Sequence, residues 1–175
     1  MSEDPVRVGV ARSVERLTAE PERGSLTYRA STALEAGGLR CEAALRKHAI
    51  VVDEPPSVGG TNEGPNPIEV VLAGLASCQA ITYQVWAALE GVALERVTVH
   101  AEGDVELNGF FGLEEGSRPG FHAVRLAVTL EGEETPERFR EFADVVDRHC
   151  PVLDMLTTAA PVTRTLLDPE APAPQ

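Results

Sequence analysis

From Val70 to Leu89 the chain carries no charged residue, twenty positions in a row, and whatever fold it adopts must accommodate that run. Asn66-Pro67 precedes it as a helix start: Asn caps exposed N–H groups, and Pro brings a pre-set φ to the first helical position. Gly91 follows it as a stop. The stretch therefore predicts one helix of about six turns and roughly 36 Å. Near its middle sits Cys78, among the small residues Ala73, Gly74, Ala76, Ser77 and Ala80.

Such a run has the length of a membrane span. It also holds Ser77, Gln79, Thr82, Tyr83 and Gln84, and its upstream flank is acidic (Glu63, Glu69). A buried helix packed closely on others is the simpler expectation. The net charge of −13 argues against nucleic acid or an anionic membrane as partner. At 175 residues the chain is expected to form a single domain, 1–175, with loose ends at about 1–12 and 168–175. No basic region followed by an apolar stretch opens it. Three cysteines, an odd number, then suggest reduced thiols in the cytosol rather than a disulfide framework.

From Val14 to about Val52 the pattern is short β-like runs divided by turns. Strands are expected at Leu26–Ala30, Leu39–Leu45 and His48–Val52, as an antiparallel meander. Asp53 to Asn66 is dense in Pro, Gly and Asn, a long loop of the kind that is more often functional than idle. Ala93–Glu106 and Phe121–Glu131 read as strands around a break that carries Phe110, Phe111 and Leu113. Thr135-Pro136 opens an amphipathic helix with Phe139, Phe142 and Val146 on its apolar stripe. A short helix from Pro151 to about Thr157 and a strand at Pro161–Leu167 complete the expected order, β-β-β-α-β-β-α-β. This is an α+β chain. Its central helix is too apolar to leave one face in water, so a second copy is expected to complete the burial.

Cys78 reads most simply as a small buried hydrophobe, because burial suppresses thiolate formation and the helix N-terminus is three turns away. To act as a nucleophile it would need a cation from elsewhere. Cys150 has the stronger local setting: as N-cap of the short helix it would meet free N–H groups and the helix dipole, beside His149. A plain turn at His149-Cys150-Pro151 is an equal alternative. Cys41, on a strand, reads as incidental. The four histidines show no metal-ligand spacing, and no metal or cofactor is expected. Phe110, Phe111 and Leu113 fit either a flap over a pocket or core anchors.

The segment DEPPSVGGTNEGPNPIEVVLAGLASC, with HCPV some seventy residues later, resembles the OsmC/Ohr superfamily, over roughly residues 25 to 167. The pattern is closest to its OsmC-like branch. The resemblance implies an α+β fold with antiparallel sheets around long central helices, and an intertwined homodimer. It implies that Cys78 attacks an organic hydroperoxide and becomes a sulfenic acid, that Cys150 resolves it as a disulfide, and that an external thiol reduces the disulfide. Stress protection in the cytoplasm would be the role. Ohr-type enzymes place a Glu directly after Asn-Pro, paired with an activating Arg. Here Ile68 stands there and the Glu comes next, at Glu69, about half a turn from Cys78 around a straight helix. Glu69 and Arg46 are the candidates for those two parts, with Glu63, Arg23 and Arg29 behind them. A non-catalytic protein on the same scaffold, binding a small apolar or acyl ligand at the dimer interface, is the alternative.

Overall fold

The computed structural model describes residues 4–168. The architecture is mixed, with antiparallel sheets and one long central helix. That helix, α2 (Pro67–Glu90), begins where its caps dictate. Asn66 Oδ1 accepts from the Glu69 N–H at 2.9 Å, and Glu69 Oε2 accepts from the Asn66 N–H at 2.8 Å, a reciprocal capping box. It ends at Gly91, whose φ of 69° lies in the left-handed region.

The chain forms two sheets, of which the second packs on α2 through β4. The first is the expected meander, β1 (Ser31–Ala33), β2 (Cys41–Leu45) and β3 (His48–Val52), all antiparallel. The second pairs β4 (Leu94–Asp104) with β5 (Ala123–Gly132) in a long antiparallel ladder. Between those two strands the connection makes one helical turn, α3 (Leu107–Phe110). Thr135 caps α4 (Pro136–Asp147), and α5 (Pro151–Thr157) follows after a two-residue bend and Cys150.

Buried Tyr83, Ala87, Val92, Phe142 and Val146 form the core where α2 meets α4, with Trp86, Leu94, Val97, Leu130 and Phe139 packed around them. Tyr83 and Phe142 meet edge to face, centroids 5.6 Å apart. The helix is buried along one stripe only, Leu75, Gln79, Thr82, Tyr83 and Ala87. On its other faces Ile81 stays 63% exposed, and Val71 and Leu89 are also open. Burial on every face, the sequence expectation, is thus not met within one chain. By length and composition α2 could cross a membrane. Its buried stripe, however, includes the polar Gln79 and Thr82.

Three further expectations are corrected. The N-terminal stretch, read as loose to residue 12 and β-like beyond Val14, is a helix, α1 (Pro5–Ala19), lying against α2. Asp4 caps it by accepting from the Val6 N–H at 2.9 Å, Pro5 fills the first position, and Val6, Val10, Val14 and Leu17 recur at helical spacing. Residues 26–30 join no ladder, because the register (Ser31↔Ala44, Ala33↔Glu42) would place residues 28 and 29 opposite Lys47 and Arg46 of the β2–β3 turn. Residues 161–167 likewise join no sheet among the described residues, leaving Val162 93% exposed. Of the loose ends expected from sequence, 1–3 and 169–175 lie outside the described residues.

Candidate functional site: a thiol pair between the central helix and the last helical junction

Cys78 lies mid-way along α2, half-buried, and Cys150 caps α5 with only 1% of its surface exposed. The bend after α4 turns the chain back so that Cys150 comes near enough to Cys78 for the two thiols to interact. Seventy-two residues of sequence separate the two, and only the docking of α4 and α5 on α2 brings them together.

Burial pushes the Cys150 thiol above its ordinary pKa. The N–H groups of Leu153 and Val152 oppose that, but the neighbouring Cys78 sulfur and the charge it would carry push the same way as burial. Helix N-terminus and desolvation compete here, and desolvation wins. The local activation of Cys150 expected from its N-cap position is therefore reversed, and Cys150 is held as the protonated partner.

The other candidates fall elsewhere. Glu69 is exposed, its carboxylate engaged in the capping box, about 13.5 Å along the axis from Cys78. Arg46 sits in the β2–β3 turn with φ 57°, exposed and without a hydrogen bond or ion pair among the described residues. Arg29 is equally unpaired, whereas Arg23 pairs with Glu20. Glu63 pairs with Arg40 at 2.5 Å. His149 stacks on Trp86, ring centroids 3.9 Å apart, and its Nδ1 lies 2.7 Å from the Val145 carbonyl. Phe110, Phe111 and Leu113 line neither the thiol pair nor the core. They stand out at the β4–β5 connection, 69%, 53% and 74% exposed.

Two features escaped the sequence reading. Asp53, 1% exposed, opens the long loop and gathers it. Its carboxylate accepts from the N–H groups of Glu54 (2.8 Å), Thr61 (3.0 Å) and Glu63 (3.0 Å), and from the Thr61 hydroxyl (2.6 Å). Those bonds, the Thr61 hydroxyl foremost, lower its pKa to about 2. The winding is tight: a Cβ on Gly60 would stand 1.8 Å from the Glu54 carbonyl oxygen. An Asp followed by a Gly- and Pro-rich loop was the available signal. The second feature is Gln79, next to Cys78, whose Nε2 donates to Asp147 Oδ1 at 3.0 Å. Tyr83 of α2, Leu130 of β5, and Phe139 and Ala143 of α4 line an apolar cleft of about 290 Å³.

With this geometry in place, comparison with known proteins is informative. The family model described as OsmC-like protein matches residues 60–165. A protein of Mycoplasma genitalium named hydroperoxide reductase is 29% identical over 98 residues, 54% of this chain and 64% of that protein. The chain thus spans less than two thirds of the curated relatives it matches. Among solved structures, the OsmC-like protein of Mycoplasma pneumoniae superposes with a TM-score of 0.66 at 19% identity, over 77% of this chain and 90% of that one. The organic hydroperoxide resistance protein OsmC of Legionella pneumophila gives 0.59 at 18%, over 76% and 90%. These likenesses carry the fold.

Proposed function

Since the chain belongs to the OsmC-like protein family, we propose that it is a thiol peroxidase acting through Cys78 and Cys150 on organic hydroperoxides. The observation that carries this reading is that the fold brings the two thiols, seventy-two residues apart in sequence, near enough to interact. A peroxide-related role is also what the relative named hydroperoxide reductase supports.

In the proposed cycle the Cys78 thiolate attacks the outer peroxide oxygen. An S–O bond forms, the O–O bond breaks, and the alkoxide leaves as the alcohol after taking a proton. The Cys150 sulfur then attacks the sulfenic acid sulfur: the disulfide forms, the S–O bond breaks, and hydroxide leaves with the Cys150 proton as water. An external thiol reductant returns both thiols by exchange. Cys150, buried and protonated, suits the second step, in which it supplies both sulfur and proton. Arg46 is our choice for the cation that Cys78 needs, its guanidinium being uncommitted among the described residues, with the likewise uncommitted Arg29 behind it. Glu69 is left as a cap.

The working form we propose is a homodimer in the cytoplasm. One chain exposes 13361 Å², against about 8300 Å² for a folded monomer of this mass. Its unladdered segments at 26–30 and 161–167 and the open face of α2 are surfaces a second copy would cover. Arg46 would then reach Cys78 across that interface.

Cumene hydroperoxide followed by mass spectrometry without reduction tests the reading. A Cys78–Cys150 disulfide is expected, and Cys78→Ser should abolish thiol-dependent peroxide consumption. Both thiols remaining reduced would overturn it. The apolar cleft beside Tyr83 favours a second reading, a small apolar ligand bound without chemistry, which Cys78→Ser would leave unchanged.

A further inference from the structure

The neighbours of the two cysteines are themselves joined. Gln79 follows Cys78 directly, and Asp147 precedes Cys150 by three residues. A carboxylate only accepts, so the Gln79 amide must turn its Nε2 toward Asp147, and that orientation leaves its Oε1 buried without a partner among the described residues. A fully buried amide with an orphaned oxygen costs stability, and an apolar side chain of the same size would not incur that cost. Packing therefore does not account for Gln79, but its bond to the cysteine-bearing junction does. The Trp86–His149 stack fixes the same junction at a second point, one residue before Cys150.

We propose that Gln79 and Asp147 form a positioning clamp that holds the α4–α5 junction, and so the Cys150 sulfur, within bonding range of Cys78. The clamp touches neither peroxide nor the reacting atoms. It acts on the effective concentration of one thiol at the other, which sets both how fast and how completely the disulfide closes. Its place in turnover rests on the peroxidase reading, but its effect on the thiol pair does not.

The test is equilibrium with glutathione buffers in a Cys41→Ser background. Glutathione disulfide takes the two electrons of the thiol pair and leaves as two glutathione thiols, and the fraction of Cys78–Cys150 disulfide is read by mass spectrometry. Gln79→Met and Asp147→Leu should each weaken the disulfide at least tenfold, moving the couple up by about 30 mV. Asp147→Asn keeps the accepting oxygen and should stay within twofold of the parent. Reduced Gln79→Met should melt no lower than the parent, since it removes the orphaned oxygen and leaves exposed Asp147 to water; a purely structural role would lower both quantities together. The clamp is refuted by a Gln79→Met constant within twofold of the parent, by equal losses in Asp147→Asn and Asp147→Leu, or by a parent that forms no such disulfide. A parent that closes the disulfide with glutathione but ignores cumene hydroperoxide would sink the peroxidase and leave the clamp standing.

Discussion

Thr61 holds Asp53 twice, with its hydroxyl 2.6 Å and its backbone N–H 3.0 Å from the same carboxylate oxygen. This contact closes the loop that delivers the chain to the start of α2. With the folded pKa lowered to about 2 from 3.8, the carboxylate contributes stability that is fully present above about pH 4 and lost as pH falls through 2. Acid melts of the wild type should therefore show a steep fall in that window. In Asp53→Asn the fall should be shallower and the neutral-pH melting temperature lower. A variant with an unchanged acid profile would rule out the loop as the acid-sensitive element.

Glu69 separates two roles that its position alone does not. If it serves the capping box, Glu69→Gln keeps the reciprocal bond to Asn66 and should leave both stability and peroxide turnover near wild type. Asn66→Ala should cost about 1 kcal/mol in denaturant unfolding. A turnover loss of tenfold or more in Glu69→Gln at unchanged stability would show that the carboxylate acts on Cys78 after all.

Phe142 is fully buried against Tyr83 and anchors α4, the helix that carries the junction before Cys150. Phe142→Ala should destabilise by about 3–5 kcal/mol, measured by denaturant unfolding at fixed protomer concentration. Phe142→Leu should cost visibly less. A loss under 1 kcal/mol for the alanine variant would mean that the core is carried elsewhere.

What was legible in the sequence was local. Asn66, Pro67 and Gly91 announce both ends of α2, Thr135-Pro136 opens α4, and Pro151 makes Cys150 an N-cap, because caps and prolines act within a few residues. The thiol pair became legible only through family resemblance, since no periodicity relates residues seventy-two apart. Sequence left the environment of Cys150 open, because its burial comes with the packing of α4 and α5 on α2, a tertiary effect that outweighs a local dipole. Residues 161–167 have strand composition but no partner edge within the described chain, and composition cannot report an edge. The Asp53 cage needs a loop wound closely enough for four donors to converge, which Gly60 permits without announcing.

Cys150 gives the clearest pH prediction. Its thiol pKa is raised above 9.0 in the folded protein, by burial first, so the folded state keeps a proton that the unfolded chain releases. The stability it contributes is fully present below the ordinary thiol pKa and is lost as pH climbs through the folded value. In the reduced protein, alkylation of Cys150 by iodoacetamide should accordingly be slow at pH 7.5 and should rise only well above the range of a free thiol. Cys78→Ser removes the thiolate charge that adds to the shift, so its Cys150 profile should move to lower pH while remaining above that of a free thiol, because burial persists. Rapid alkylation of Cys150 at pH 7.5 in folded wild type would contradict both the burial and the resolving role built on it.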